Sequence, residues 1–330
     1  MARPVTLCTL QWGDLPLEEV CKKAKAMGYD GLELGLPAHL DVRHTDQTYY
    51  DGIKELLAKY GLSLFCISTH LISQAVCDII DQRHKDVVPD YIYGEGNPES
   101  IHKRAAEHLI QCAYAAKALG IKVVAGFTGS PIWKWLYSFP PVTQEMIDGG
   151  YKEFAERFLP ILDEYQKLGI RYALEVHPTE IAFDTFSAKN ALKAINNHPA
   201  FGFNYDPSHL GYQGVDYVGF IRQLSDRIFH VHMKDVYWSN YPGEIGVFGG
   251  HSTFGDPRRY WNFRSLGRGN IRFEEIIRAL NDINYCGPLS VEWEDSCMDR
   301  EAGASESCKF VHQIDFRPSE HAFDAFFDKK

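Results

Sequence analysis

The stretch Tyr151–His177, YKEFAERFLPILDEYQKLGIRYALEVH, reads as a helix closed by a glycine and followed by a strand. Tyr151–Leu168 carries apolar residues at helical spacing, and Gly169 suits the left-handed position past a helix C-terminus. Arg171–Val176 then alternates: Tyr172, Leu174 and Val176 form one face, and Ala173, Glu175 and the following His177 form the other. The apolar face must pack on helices, so Glu175 and His177 are expected to point the opposite way, at the strand's carboxyl end.

The same unit recurs in both directions along the chain. Val5–Leu10, Gly31–Leu36, Leu62–Ser68 and Lys122–Phe127 read as earlier strands, and Phe201–Tyr205, Ile228–Met233 and Leu289–Trp293 as later ones. Helices are predicted at Leu17–Met27, Thr48–Tyr60, Arg104–Leu119, Ser187–Asn196, Val215–Leu224 and Phe273–Ile283. Strands that alternate with helices require parallel pairing and right-handed crossovers, and eight units close most naturally into an α/β (β/α)₈ barrel. A doubly wound open sheet is the alternative, but neither GxGxxG after an early strand nor GxxxxGK[ST] occurs. Residues 1–330 are therefore expected to form one barrel domain, with long insertions at 71–101, 128–149 and 236–271. All three follow strands and so belong to the face where barrel active sites are built. Their aromatic residues, among them Trp133, Trp135, Tyr137, Trp238, Tyr241, Phe248 and Trp261, call for a substrate, the barrel top or a partner chain to cover them.

Composition narrows the function classes. The chain is 45% hydrophobic and 24% charged, enough to fill a large core. With 34 basic and 44 acidic residues the formal charge is −10, which argues against a general nucleic-acid binder. No apolar run approaches the roughly 20 residues of a membrane span, and no signal peptide is read at the amino terminus. Eight cysteines without a CxxC pair read as reduced core residues, so a cytoplasmic protein is expected.

The parity argument made on strand five repeats on the next three. Asn204 and Asp206, then His230, His232 and Lys234, then Ser290, Glu292 and Glu294 all fall opposite apolar neighbours and should face the barrel axis. Burying several carboxylates together costs several kcal/mol each unless a cation neutralises them. Glu175, Asp206, His232 and Glu292 therefore form a candidate set of ligands for one divalent metal, manganese first, with magnesium, cobalt or zinc as alternatives. The competing explanation is a network of internal salt bridges, for which Lys234 is the one clear inward cation on these strands.

The runs LEVHP around Glu175, NYDPSHL (Asn204–Leu210), HVHMKD (His230–Asp235), GRGNIRFEEII (Gly267–Ile277) and LSVEWED (Leu289–Asp295) resemble the xylose-isomerase-like barrel superfamily of sugar isomerases and epimerases. The resemblance runs from about residue 5 to residue 300. It implies one metal held by the same four residues, with Glu175 and Glu292 doubling as acid and base and His209 orienting substrate or water. Ketose 3-epimerases of that superfamily usually carry an arginine shortly after the strand-seven histidine, where this chain has Lys234-Asp235. A second resemblance, to the large subunit of C-glycoside deglycosidases, implies 3-oxo-glycoside substrates and a small β-rich partner subunit.

The expected chemistry is removal of a proton α to the carbonyl of a sugar or keto-sugar through an enediolate, which branches to isomerisation, epimerisation or elimination. His70 and His177 are further candidates for proton transfer. Lys234, Glu33 and Trp238, with His209, are candidates for holding substrate. A non-catalytic metal- or sugar-binding barrel is the remaining class. Association is expected, as a homo-oligomer or with the small subunit, and neither nucleic acid nor membrane is an expected partner.

Overall fold

Each barrel strand alternates so that its apolar residues meet helices and its smaller or polar ones meet the axis. In the computed structural model, which describes residues 2–320 and 327, the strands are β1 (Val5–Cys8), β2 (Gly31–Gly35), β3 (Ser63–Ser68), β4 (Val123–Gly126), β5 (Arg171–Glu175), β6 (Phe201–Tyr205), β7 (Ile228–Met233), β8 (Asp235–Trp238), β9 (Trp261–Arg264) and β10 (Leu289–Val291). Eight of them close a barrel in the order β1-β10-β7-β6-β5-β4-β3-β2, every pairing parallel. The expected (β/α)₈ architecture is the one observed. Leu7, Leu32, Leu34, Ile67, Val124, Tyr172, Leu174, Phe203, Val231 and Val291 are fully buried in the layer between strands and helices. The register pairs Cys8 and Cys66 with Glu33, Glu175 with Asn204 and Ser290 with His232, so inward polar groups from neighbouring strands lie at matching heights.

Two helices begin earlier than the sequence suggested. The helix expected from Arg104 spans Pro98–Leu119: Asn97 accepts the Ser100 N–H at 3.0 Å, and Pro98 sits in the first turn, where its missing N–H costs nothing. The helix expected from Tyr151 spans Gln144–Leu168, capped by Thr143. The Gly149-Gly150 pair, just ahead of the expected start at Tyr151, is helical. A Cβ at Gly150 would come within 2.0 Å of Ile132 Cγ1, so the glycine is there for close approach. The insertions at 71–101 and 128–149 are correspondingly shorter as irregular loops.

The excursion at 236–271 has its own architecture. β8 and β9 pair antiparallel, Trp238 opposite Trp261, as a hairpin inserted between barrel strands β7 and β10. Asp235 clasps its base. The carboxylate accepts N–H bonds from Val236 (2.8 Å), Gly267 (3.0 Å), Gly269 (2.8 Å) and Ile271 (3.3 Å). Among the described residues no helix is long and apolar enough to cross a membrane.

Candidate metal centre

Glu175 ends β5, Asp206 caps the short helix Pro207–Gly211 after β6, His232 lies on β7 and Glu292 follows β10. One ligand atom from each lies within 4.8 Å of the other three, and all four residues are buried. The tight turn at Asp206 fixes one oxygen, Oδ1 accepting the Ser208 N–H at 2.7 Å, and leaves Oδ2 without a hydrogen bond. His232 is held in the same one-sided way. Its Nε2 lies 3.1 Å from Glu33 Oε1, while Nδ1, 3.2 Å from both Glu175 Oε2 and Glu292 Oε2, has no hydrogen bond of good geometry. Buried polar atoms are almost always paired. An oxygen and a nitrogen orphaned within 4.8 Å of the same two glutamates fit a divalent cation, and the oxygen-rich donor set suits a hard or borderline ion.

The electrostatics agree. Burial opposes the charge on Glu175, yet the imidazoles of His232, His209 and His70 hold its carboxyl well below the ordinary range. Glu292 is held down at about 2, burial being outweighed by Lys234 and His232. Asp206 goes the other way: burial, with repulsion from Glu175 and Glu292, raises it despite Lys234. His232 is raised against burial by Glu33, Glu292 and Glu175.

The other expected residues fall into place around this set, with two revisions. His70 Nδ1 is 2.7 Å from Ser68 Oγ, and Nε2 is 2.9 Å from Glu175 Oε2. His209 Nε2 is 3.1 Å from Glu175 Oε1 and 3.3 Å from Asp206 Oδ2, and burial beside His177 and Lys234 lowers it to about 3, a neutral imidazole. The His177 ring rests 4.1 Å from that of His209, with Nδ1 on the Pro178 carbonyl. Lys234 places Nζ 2.9 Å from Glu292 Oε2 and 2.6 Å from Glu294 Oε2, so the internal salt bridge does exist and takes in one member of the cluster, Glu292, but reaches Asp206 only at 3.9 Å.

Glu33 is the first revision. Expected to hold substrate, it lies fully buried below the cluster, where it bonds His230 Nε2 (2.7 Å), Ser290 Oγ (2.6 Å) and His232 Nε2. There it can orient the His232 ring but cannot meet a ligand at the mouth. Trp238 is the second. Its ring packs against Gly211, where an added Cβ would meet it at 3.1 Å, and its backbone N–H donates to Asn270 Oδ1. The side chain facing the site from this hairpin is Phe263, whose ring lies 5.5 Å from that of His209 and 4.3 Å from Lys234 Nζ. Strand parity had marked Asn204 and Glu294 as inward, and it is the signal that finds them: Asn204 Nδ2 reaches Glu175 Oε2 at 3.3 Å. Phe263 carries no comparable signal, because its position depends on hairpin register.

The chain is similar to several known proteins. YfiH of Bacillus subtilis, an uncharacterised protein, is 27% identical over 213 residues, which cover 60% of this chain and 67% of YfiH. A 3-dehydroshikimate dehydratase of Bacillus anthracis is 25% identical over 142 residues, 43% of this chain and 49% of the dehydratase. Among solved structures, the 3-keto-D-glucoside 4-epimerase YcjR of E. coli superposes with a TM-score of 0.65 at 14% identity, covering 94% of this chain and 99% of that one. The IOLI protein, solved with a bound zinc atom, superposes with a TM-score of 0.63 at 16% identity, covering 94% of this chain and 98% of that one. A sequence profile of the family matches residues 21–314, and the chain belongs to the xylose isomerase-like TIM barrels.

Proposed function

We propose that the chain is a divalent-metal-dependent enzyme that removes a proton α to the carbonyl of a sugar or related polyhydroxy ketone, in the manner of an isomerase or epimerase. The observation that carries this reading is the pair of orphaned atoms, Asp206 Oδ2 and His232 Nδ1, aimed at Glu175 and Glu292. Glu175, Asp206, His232 and Glu292 would hold the ion, which when bound supplies Lewis-acid polarisation of a substrate carbonyl and so acidifies the neighbouring C–H.

The rest is work for the chain's own groups. Glu175 and Glu292 come from β5 and the end of β10, separated around the barrel by β6 and β7, so they approach a bound substrate from different sides. One takes the proton and the other returns it. The neutral His209, bridging Glu175 and Asp206, keeps the Glu175 carboxylate oriented, and His70 backs its second oxygen. Lys234 holds Glu292 and sets an ammonium beside any hydroxyl that Glu292 serves.

Elimination is the second reading. A dehydratase among the relatives and an ammonium beside Glu292 favour it, because expulsion of a β-substituent needs a proton donor at the leaving group. A deglycosidase large subunit with a small partner is a special case. It finds support in the exposed Tyr137, Phe139 and Phe248, which a second chain, of either kind, would cover.

The test is deuterium wash-in from D₂O into a panel of keto-sugars, with manganese and after chelation. Metal-dependent exchange at the α-carbon is the expected result. A metal-loaded protein that exchanges none of the panel leaves a binding barrel instead. Light scattering of the pure chain distinguishes an oligomer, the expected state, from a monomer.

A further inference from the structure

Beneath the metal centre the barrel interior holds a second group of metal-type donors. Cys8 on β1 and Cys66 on β3 flank Glu33 on β2 in register, and His230 and His232 reach the same carboxylate from β7. All of these side chains are buried. Ligand atoms of Glu33, Cys66 and His230 lie within 4.8 Å of one another, and so do those of Glu33, Cys8 and His232. The surroundings are dry, since Cys66 belongs to an apolar cluster with Val123, Ala125, Ala173 and Phe229.

Chemistry separates this layer from the one above. Glu175, Asp206, His232 and Glu292 offer oxygen and nitrogen alone, whereas the lower group adds sulfur, a donor that zinc and other borderline ions accept and magnesium does not. A buried carboxylate needs a compensating cation, and among the described residues no lysine or arginine pairs with Glu33. A divalent ion held by one carboxylate, one thiolate and one neutral imidazole makes a group of zero net charge, which a low-dielectric interior tolerates best. Ser290 Oγ, 2.6 Å from Glu33 Oε2, holds the carboxylate as outer partners of metal ligands do. The same layer also contains an unused donor. Thr6 pairs with Ser290 in register between the outward Val5 and Leu7, and its Oγ1 is buried with no hydrogen bond. Zinc takes a fourth ligand, which a free hydroxyl can supply or hold as water.

Of the two triads, the one with Cys8 requires His232 Nε2, on a ring whose Nδ1 already faces the metal centre. Glu33, Cys66 and His230 share no residue with that centre. We propose that Glu33, Cys66 and His230 hold a second, thiophilic divalent ion, zinc in the first place, in a closed site beneath the metal centre. On binding, the Cys66 thiol gives its proton to solvent and the thiolate takes the ion, with no change of oxidation state. The site needs no substrate and does not depend on proton abstraction above it.

Cobalt(II) titration of the reduced, chelator-stripped full chain tests this, because thiolate ligation gives cobalt an intense near-ultraviolet charge-transfer band and oxygen or nitrogen ligation does not. The exposed Cys286 and Cys297 are first replaced by serine, so that surface thiols contribute nothing. About two equivalents should bind, one of them with the band, and zinc but not manganese should bleach it. Cys66→Ser should abolish the band together with one equivalent. Cys8→Ser should keep both, and Asp206→Ala should keep the band while losing the upper equivalent.

Absence of the band in the parent chain, whose folding is not in question, overturns the site. So does a band that survives Cys66→Ser, that vanishes with Cys8→Ser or Asp206→Ala, or that manganese displaces as readily as zinc. Deuterium wash-in with manganese reports separately on the centre above. Exchange without the band removes the lower site alone, and the band without exchange removes the enzymatic reading alone.

Discussion

Glu175 and Glu180 leave the same strand end and are equally hidden, at 2% and 3% exposure, yet they have opposite characters. Glu175 faces side-chain nitrogens of His70, His209 and His232. Glu180 faces the backbone. Its Oε2 accepts the N–H groups of Thr128 (2.8 Å) and Gly129 (2.6 Å), tying the loop after β4 to the loop after β5. Burial, with Asp78 nearby, raises the Glu180 carboxyl well above its ordinary value, whereas the imidazoles pull Glu175 well below. Burial alone therefore does not mark a functional carboxylate. What separates these two is the partner each faces, imidazole nitrogens at Glu175 and backbone N–H groups at Glu180.

Substituting the two glutamates is the sharpest way to break the contrast. Glu175→Gln should lower turnover by about 10²- to 10⁴-fold, the range of a general acid or base, while the protein keeps its fold and some metal. Full activity in steady-state assays of the metal-loaded variant would return the base role to another group, with His177 next in position.

Glu33→Gln tests the next layer down. Removing the carboxylate that orients His232 should weaken metal affinity by about 10- to 100-fold, read by competition with a fluorescent chelator. An unchanged affinity would show that the His232 ring is held by packing alone.

At Glu180 the effects move from chemistry to stability. Glu180→Ala strands two buried N–H groups and should cost about 1–3 kcal/mol for each, measured by urea unfolding, with metal affinity unaffected. Glu180→Gln mimics the protonated acid that this environment prefers, and should cost less than about 1 kcal/mol.

Acidity supplies the smallest and most discriminating measurement, on the metal-free chain. Glu175 is lowered from its ordinary 4.5, so its share of stability is present above that value and fades as pH falls further. Glu180 is raised, so its share is full below 4.5 and is lost as pH rises through its folded value. Glu175→Gln should flatten the acid limb of the stability profile, and Glu180→Gln the limb above 4.5. Identical limbs in both variants would erase the distinction.

Strand parity explains why much of the site was legible. Tyr172, Leu174 and Val176 demanded helices on one side, which left Glu175 nowhere to go but the axis, and the same reasoning delivered Asp206, His232 and Glu292. It could not assign depth. Glu33 shares the inward parity of the ligands, and only the closed barrel, which brings the inward side chains of β2 and β7 together past β1 and β10, turns it into a prop for His232. Glu180 lies in a turn with no periodicity to read, and its burial depends on a loop from another strand. The early helix starts at Pro98 and Gln144 were hidden for a local reason: proline and paired glycines usually stop helices, and here one begins a helix and the other admits Ile132.

The Asp235 clasp carries a consequence for how this fold tolerates change. Because one carboxylate gathers both ends of the hairpin excursion, the barrel is shielded from whatever length of chain lies between them. The entropy of closing such a loop grows only logarithmically, by about 0.6 kcal/mol for each doubling of its length. The exposed start of the tip, residues 240–244, is thus where added residues can accumulate at little thermodynamic penalty, whereas Arg259, buried on the Gly249 and Ser252 carbonyls, anchors the rest. Lineages sharing the barrel can diversify the rim over their ligands while the acid and imidazole frame beneath stays in place.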